Sequence, residues 1–289
     1  MAACVVFGAS GQIGRFLLPG LVAAGHDVLA ISRTTRAPAD GVRWTEGDLD
    51  AGVPALGTPA VLFSLGPLDA FARWFGRQPQ IRPQRIVAIG SMSIDTKRDS
   101  AEAGERDLAG RLQAAEEALA LAAAARGTHL TVFRPTLIYG AGLDRSLAPI
   151  ARFACRWRVF PTVPAATGLR QPVHAADLAT ACLAVLDRPG TFGHTYALGG
   201  GERLGFAAML ERLRSALPVR ALPLPVPLAA LGHCIRAAAF VGLPRVGEAA
   251  ITRLGIDLVA DHSEAVADFG WSPRPFLPEP DAWQRIARH

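Results

Sequence analysis

Three glycines near the start of the chain have the spacing of a phosphate-binding turn. Gly8, Gly11 and Gly14 follow the apolar run Cys4–Phe7 and open a stretch of helical character. A tight strand-to-helix turn needs residues without Cβ, and the first turn of a helix offers free N–H groups to an anion. This context predicts a site for the pyrophosphate of a dinucleotide. The predicted contacts are Gly8, Ser10, Gly11, Gln12, Ile13 and Gly14.

The residues after the second apolar run indicate which dinucleotide this would be. Ser32 ends that run, Arg33 and Arg36 follow it, and the first acidic residue is Asp40. An acidic residue near this point bonds the ribose hydroxyls of NAD, whereas an arginine accommodates the 2′-phosphate of NADP. Ser32 and Arg33 therefore favour NADP(H). The alternatives are NAD(H), and a solvated loop for both arginines.

The strands and helices that would position these residues can be predicted from the sequence. Apolar runs alternate with helical stretches over the first 140 residues. Buried runs separated by helices predict a doubly wound parallel sheet, the α/β Rossmann arrangement, with helices on both faces. The clearest helices are predicted at Gly14–Ala24, Phe71–Phe75 and Leu108–Ala125. The predicted strands are Cys4–Phe7, Val28–Ile31, Val42–Thr45, Ala60–Ser64, Ile86–Ile89 and Leu130–Phe133.

The alternation weakens after Gly140, where loops rich in proline and glycine separate helical pieces such as Ala176–Leu186 and Phe206–Leu217. We therefore predict a dinucleotide-binding domain over residues 1–145, joined by 172–200. Residues 146–171 and 201–289 would form a small C-terminal α/β substrate lobe. That lobe carries arginines that could bind an anionic substrate or lie on the surface, and aromatics that could line a pocket or form a core: Arg145, Arg152, Arg156, Arg158, Arg170, Trp157, Phe160 and Trp271.

Taken in order, the motifs of residues 1 to about 200 resemble the short-chain dehydrogenase/reductase superfamily, in its extended, epimerase-like branch. The glycine spacing is that of this superfamily, and six further segments match: Asp48-Leu49, Ser64–Gly66, Gly90–Ser93, Arg134–Gly140, Pro172–Ala179 and Tyr196–Gly200. The resemblance implies a nicotinamide cofactor that contacts Asp48 and Leu49 at the adenine, and Ser64, Leu65, Gly66 and Pro135 along its length.

The catalytic pair of that superfamily is missing from this chain. The usual chemistry uses a tyrosine as acid and base, and a lysine four residues later lowers its pKa. The two tyrosines are Tyr139 and Tyr196, and neither is followed by lysine at that spacing, because Lys97 is the only lysine. If Glu116 takes the place of the family's downstream glutamate, the two positions fall at Leu108 and Leu112.

Four other residues are candidates for chemistry at the nicotinamide end, and Arg134 is a further charged group there. Ser91 keeps the family's serine position, as a hydroxyl donor to a substrate carbonyl or as a polar strand end. Tyr139 is the best substitute acid, and the alternative is a packed aromatic ring. His174 could face a substrate, or could be a loop histidine that bonds backbone. Lys97 could reach the cleft or be solvated, and Arg134 would hold backbone or a carboxylate.

These residues leave two main functions open. The first is an NADP(H)-dependent oxidoreductase or epimerase acting on an unknown small carbonyl or hydroxyl substrate, because hydride transfer is the cofactor's own chemistry. The second is a non-catalytic NADP(H)-binding sensor or assembly protein, a role that atypical superfamily members without the pair are known to take. A membrane-surface role for the apolar stretch Leu222–Leu243 is a third, weaker hypothesis.

Composition sets further limits. The chain has 289 residues, of which 50% are hydrophobic, and a net charge of +5 carried by dispersed arginines. No basic run predicts a nucleic-acid partner, and no unbroken apolar stretch predicts a membrane span. Four scattered cysteines and the absence of a leader predict reduced thiols in the cytoplasm and no metal site. The oligomeric state stays open between monomer and homodimer, since Ala114–Ala125 could pack on a partner or on its own sheet.

Overall fold

The computed structural model describes residues 2–37, 39–227, 251 and 253–279. In chain order the described elements are β1 (Ala3–Phe7), α1 (Gly14–Ala23), β2 (Asp27–Ser32), β3 (Val42–Glu46), β4 (Val61–Ser64), α2 (Leu68–Gly76), β5 (Arg85–Ile89), α3 (Ser93–Lys97), α4 (Ala103–Ala124), β6 (His129–Pro135), β7 (Ile138–Tyr139), α5 (Leu147–Trp157), β8 (Val159–Thr162), β9 (Leu169–Arg170), β10 (Val173–His174), α6 (Ala175–Ala184), β11 (Thr195–Leu198), β12 (Leu204–Gly205), α7 (Phe206–Ser215), β13 (Leu222–Pro225) and α8 (Ser263–Phe269). Short 3₁₀ turns lie at Pro189–Thr191 and Arg253–Gly255.

Seven described strands form one parallel sheet in the order β11-β6-β5-β4-β1-β2-β3. The order runs outward from β1 in two directions, so the chain winds helices over both faces. On one face, α1 and α6 pack on side chains such as Val6 and Phe63. On the other face, α2 and α4 pack on their neighbours Val5 and Leu62. The predicted doubly wound α/β fold is therefore confirmed.

Burial on both faces explains why the strands could be recognised as continuous apolar runs. Every residue of β4 and β5 is buried, as parallel strands covered by helices require. Helix α4 differs from its prediction, because it begins at Ala103 and not at Leu108. Its first turn contains Glu105 and Arg106, whose polar side chains give no apolar periodicity. Within the Ala-rich stretch, Ala115, Leu119 and Ala123 pack on the sheet, whereas Leu121 is 74% exposed.

The later part of the chain builds a separate apolar cluster. Helices α5 and α7 enclose Phe160 of β8, together with Leu213 and Phe276. Strand β13 pairs with β8 through Leu222–Pro225, so the start of the apolar stretch Leu222–Leu243 is part of this lobe. Most of that stretch, from residue 228, lies outside the described residues, as does Cys234. Among the residues described, no helix is long and apolar enough to span a membrane.

The turn between β1 and α1 can be tested by adding single methyl groups. A Cβ at Gly14 would lie 2.1 Å from the carbonyl oxygen of Ala9, so the first turn of α1 must move to accept it. We expect Gly14→Ala to lower the free energy of unfolding by roughly 1–3 kcal/mol, measured by urea denaturation. The control is Gly110→Ala in α4, where a Cβ meets nothing within 4 Å and the stability should rise by about 0.5–1 kcal/mol. Equal effects of the two substitutions would contradict this account.

Candidate functional site

The glycine turn lies between the carboxyl ends of β1 and β4. Gly8 has φ +73°, and a Cβ there would lie 2.8 Å from the backbone nitrogen of Gly66. The turn is closed by the Gly11 N–H, which donates to the Gly8 carbonyl at 2.9 Å. No side chain caps the first turn of α1. The N-terminus of this helix is therefore open to an anion, which is the geometry that binds phosphate groups.

Two buried polar atoms beside the turn fit a bound dinucleotide. Ser64 ends β4 directly opposite Phe7 of β1 and is 1% exposed. Its Oγ atom and the Oε1 atom of Gln12 are buried without a hydrogen-bond partner in the protein. Buried polar atoms are almost always hydrogen-bonded. Two such atoms without partners beside the glycine turn therefore indicate a ligand that would form the missing hydrogen bonds. The residues present thus fit the cofactor that the glycine motif predicts.

The loops after β2 and β3 bring the predicted adenosine-side residues together. The buried Ser32 Oγ accepts a hydrogen bond from the Thr34 N–H at 3.3 Å and lies 3.5 Å from the Arg36 Nε. Asp48 Oδ1 accepts from the N–H groups of Asp50 and Ala51, and these bonds, with the charge of Arg33, lower the Asp48 pKa. Arg33 is exposed, whereas Leu49 is half-buried and packs against the α2 side of the sheet.

Helix α4 is fixed to the sheet by one ion pair. The Glu116 carboxylate accepts from Arg134 Nε at 3.0 Å and from its terminal nitrogen at 2.6 Å. Glu116 Oε1 lies so close to Gly90 that a Cβ there would be 2.5 Å away. This pair joins α4 to the carboxyl ends of β5 and β6, and Glu116 raises the pKa of Arg134. Of the two roles predicted for Arg134, binding backbone or binding a carboxylate, the structure shows the second.

The same helix face carries Leu108 and Leu112, the two positions at which the resemblance implies the catalytic pair. Leu112 and Leu108 lie one and two turns before Glu116, at i−4 and i−8, so the three side chains share a face. Because α4 starts beyond the carboxyl edge of the sheet, both leucines lie past Gly90, and both are half-buried. Ser91 follows Gly90, is half-buried, and its Oγ accepts from the Ser93 N–H at 3.1 Å.

Tyr139 is a core residue in this structure. Its ring is 1% exposed and contacts His174 and Phe276 edge-on. Its hydroxyl donates to the Pro275 carbonyl at 3.3 Å and accepts from the Leu277 N–H at 3.4 Å, and burial raises the pKa of Tyr139 to about 12. A proton that is held in the core at such a pKa is poorly placed for acid catalysis. The packed-aromatic interpretation fits this geometry, and the substitute-acid interpretation does not.

His174 also has a structural partner. It is the N-cap of α6, and its Nδ1 accepts from the Ala176 N–H at 3.1 Å, so that nitrogen carries no proton. The ring lies directly against Gly140, and burial lowers the His174 pKa. Asp177, in the first turn of α6, bonds the backbone N–H and the guanidinium of Arg274. These contacts fasten the C-terminal loop over Tyr139.

Lys97 lies in an ion cluster and is not solvated freely. Its Nζ atom is 3.2 Å from Glu105 Oε1, and the other carboxylate oxygen of Glu105 contacts Arg253 and the hydroxyl of Ser100. Arg253 is held to the lobe in turn, since its carbonyl accepts from Arg170 at 2.7 Å. The sequence did not predict this contact between α4 and the lobe, because Glu105 and Arg253 are far apart in the chain.

The lobe residues proposed for substrate binding are partly accounted for by packing. Arg170 is 5% exposed, donates to the carbonyls of Leu169, Ile256 and Arg253, and lies over the ring of Phe206. Phe160 is fully buried, and the indole N–H of Trp271 donates to the Gly199 carbonyl. Trp157 is 50% exposed. Within the described ranges, no group of three histidine, cysteine or acidic side chains has the arrangement of a metal site.

No protein-family model matches the chain. Among curated proteins, it is similar to NADH dehydrogenase (ubiquinone) 1 alpha subcomplex subunit 9, mitochondrial, of Arabidopsis thaliana, with 26% identity over 78% of this chain. It is also similar to UDP-glucose 4-epimerase of Vibrio cholerae, with 24% identity over 68% of this chain. The chain spans 60% of the length of both relatives.

Solved structures share the fold over nearly the whole chain. MoeE5 in complex with UDP-glucuronic acid and NAD has a TM-score of 0.74 at 18% identity, covering 98% of this chain and 99% of that one. UDP-glucuronic acid 4-epimerase of Bacillus cereus in complex with NAD has a TM-score of 0.72 at 14% identity, covering 99% and 100%. The predicted resemblance to epimerase-like proteins is thus confirmed as a similarity: the chain resembles a UDP-glucose 4-epimerase in sequence and shares its fold with solved structures that include a UDP-glucuronic acid 4-epimerase.

The Lys97–Glu105–Arg253 cluster makes a prediction about stability and pH. Its hydrogen bonds, chiefly that from Arg253, lower the pKa of Glu105 from 4.5 to about 2. The carboxylate therefore stabilises the fold above about pH 4.5, and this contribution is lost as the pH falls towards 2. We expect Glu105→Gln to lower the urea midpoint at pH 7, and the deficit to shrink between pH 4.5 and 3.

The matched control is Glu117→Gln, which removes an exposed carboxylate from the same helix. It should leave the urea midpoint within error of the wild type at each pH. A Glu105→Gln deficit that is absent at pH 7, or constant down to pH 3, would show that the cluster does not contribute through the charge of Glu105.

Proposed function

We propose that this chain binds a nicotinamide dinucleotide at the carboxyl edge of the sheet, with the pyrophosphate on the Gly8–Gly14 turn. The observation that carries the proposal is the pair of buried, unpartnered atoms, Gln12 Oε1 and Ser64 Oγ, beside an uncapped helix N-terminus. Gly66 and Pro135 line the same edge, because they follow or end the parallel strands β4 and β6. When bound, the nicotinamide supplies hydride chemistry.

Between the two nicotinamide dinucleotides we propose NADP(H), with Ser32 and Arg33 at the 2′-phosphate. Support comes from the exposed arginines Arg33 and Arg36 beside Ser32, because a guanidinium fork suits a phosphate. NAD(H) is the competing candidate. It is favoured by the solved relatives MoeE5 and the Bacillus cereus epimerase, which were each described with NAD.

Calorimetric titration with NADPH and NADH tests both parts of this proposal. We expect NADPH to bind more tightly, and Arg33→Ala to weaken NADPH binding about 10- to 100-fold while changing NADH binding little, because one charge-assisted bond to the phosphate is lost. Arg43→Ala is the matched control, since Arg43 is exposed at the opposite, amino edge of the sheet and pairs with Asp27. Tighter binding of NADH would overturn the NADP(H) assignment.

For the reaction, the first candidate is an oxidoreductase or epimerase-like enzyme acting on a small carbonyl or hydroxyl substrate. In this mechanism the protein orients the substrate against the cofactor and excludes water, and Ser91 donates a hydrogen bond to the substrate oxygen. Ser91 supports this role because it is half-buried at the carboxyl end of β5, and its hydroxyl hydrogen is not used by the bond from Ser93. The epimerases among the relatives favour this class of chemistry.

The second candidate is a non-catalytic dinucleotide-binding protein that senses the cofactor or assembles with another protein. Two observations favour it. Leu108 and Leu112 replace the catalytic pair with apolar side chains, and the Tyr139 hydroxyl is bonded within the core. The relative from Arabidopsis thaliana is named as a subunit of an NADH dehydrogenase, which is consistent with an assembly role.

Restoring the missing pair separates the two candidates. With NADP(H) and a panel of aldehydes, ketones and nucleotide sugars, an oxidoreductase oxidises NADPH, whereas an epimerase interconverts the two epimers of a sugar with no net oxidation of the cofactor. In both cases Ser91→Ala slows the reaction. Leu108→Tyr/Leu112→Lys should then raise the turnover about 10²- to 10⁴-fold, the usual contribution of a general acid. The control, Leu108→Phe/Leu112→Met, keeps both positions without an acid. No turnover by the wild type with any substrate, together with tight cofactor binding, would favour the non-catalytic protein.

A further inference from the structure

We propose that this site distinguishes the two oxidation states of its cofactor and binds the reduced, neutral nicotinamide more tightly than the oxidised, cationic ring. This inference rests on the proposed dinucleotide binding. It concerns the carboxyl edge of β5 and β6, where the α4 face that carries Leu108 and Leu112 passes beyond the sheet. We call these two side chains the leucine wall.

The leucine wall is an apolar surface whose orientation follows from the rotation of α4. Glu116 fixes the rotation of α4, because its carboxylate is held by Arg134 and lies against Gly90. Leu112 and Leu108 extend the same face by one and two turns. A dinucleotide that starts on the glycine turn continues along the carboxyl ends of the strands. Its nicotinamide end therefore approaches aliphatic carbon on this side, with no hydroxyl or amine from α4.

Three carboxylates on or beside α4 are held in ion pairs: Glu116, Asp95 and Glu105. Glu116 is paired with Arg134, Asp95 with Arg134 and Arg98, and Glu105 with Lys97 and Arg253. Every carboxylate of this group already has a cationic partner. No negative side chain of the group is thus left to balance a further positive charge.

The two oxidation states of the cofactor differ in the charge of the nicotinamide ring that would lie beside the leucine wall. The oxidised ring is a pyridinium cation, whereas the dihydronicotinamide ring is neutral. Moving a cation from water to an apolar surface without a counter-anion is unfavourable. The neutral ring instead gains from burial against the leucines. The cost of moving the cation out of water and the gain from burying the neutral ring both favour the reduced cofactor. This holds for NADP(H) and for NAD(H).

The test compares the dissociation constants of NADPH, NADP⁺, NADH and NAD⁺ by calorimetry. We expect each reduced form to bind about tenfold or more tightly than its oxidised partner. For a two-electron couple, each tenfold difference raises the midpoint potential of the bound cofactor by about 30 mV, which a redox titration of the complex measures independently. Equal or tighter binding of the oxidised forms would overturn the inference while leaving the proposed function intact. Binding of none of the four would overturn the proposed function itself.

The role of the leucine wall is tested by Leu112→Glu, with Leu112→Gln as the matched control of similar size and no charge. The new carboxylate should reduce the preference for the reduced form about tenfold, and Leu112→Gln should change it much less. If both variants change the preference for the reduced form equally, the charge at position 112 does not set that preference. The role proposed for the leucine wall is then wrong. The wild-type comparison stands on its own if Leu112→Glu does not fold, which circular dichroism detects.

Discussion

The close approach of two backbone segments, at Gly8 and Gly66, is the constraint on which the site depends. Since a Cβ on Gly8 would lie within 3 Å of the Gly66 nitrogen, the turn after β1 can approach the loop after β4 this closely only with glycine at position 8. Gly14 allows α1 to start against Ala9 in the same way. The result is an uncapped helix N-terminus at the crevice where the strand order reverses, which is where open α/β sheets bind their ligands.

The second constraint is the ion pair between Glu116 and Arg134. It holds α4 against the ends of β5 and β6, and thereby decides which side chains of α4 face this edge of the sheet. In this chain those side chains are Leu108 and Leu112. At the two positions where the resemblance implies a catalytic tyrosine and lysine, this chain has apolar side chains. The same fold can carry a catalytic site or a binding site, so the proposed function depends on the residues of the site.

The parts that sequence predicts well are those fixed by local sterics or by strand burial. The glycine turn depends on residues that are adjacent in the chain, and β4 and β5 are buried on both faces, so their apolar runs can be recognised directly. The start of α4 was placed five residues late, because its first turn is polar and its Glu105 bonds outside the helix. Local periodicity contains no information about such a turn.

The roles of the candidate site residues depended on contacts that sequence spacing cannot reveal. Tyr139 donates to the carbonyl of Pro275, a residue 136 positions further along the chain, and this bond together with the burial of the ring is the environment of a core residue. Lys97 and Arg253 meet on Glu105 through the packing of the lobe. The buried Arg85, which bonds Thr131, Thr191 and the Val185 carbonyl, gave no sequence signal because arginine in a strand is usually exposed.

Hydrogen exchange of the backbone amides, with and without saturating NADPH and NADH, tests the central claim most directly. A bound dinucleotide should slow exchange in the Gly8–Gly14 turn and at the ends of β2 and β4, near Ser32 and Ser64, and should leave exchange at the amino edge of the sheet, near Asp27 and Arg43, unchanged. Unchanged exchange in the Gly8–Gly14 turn with both nucleotides, or protection confined to another surface, would contradict it.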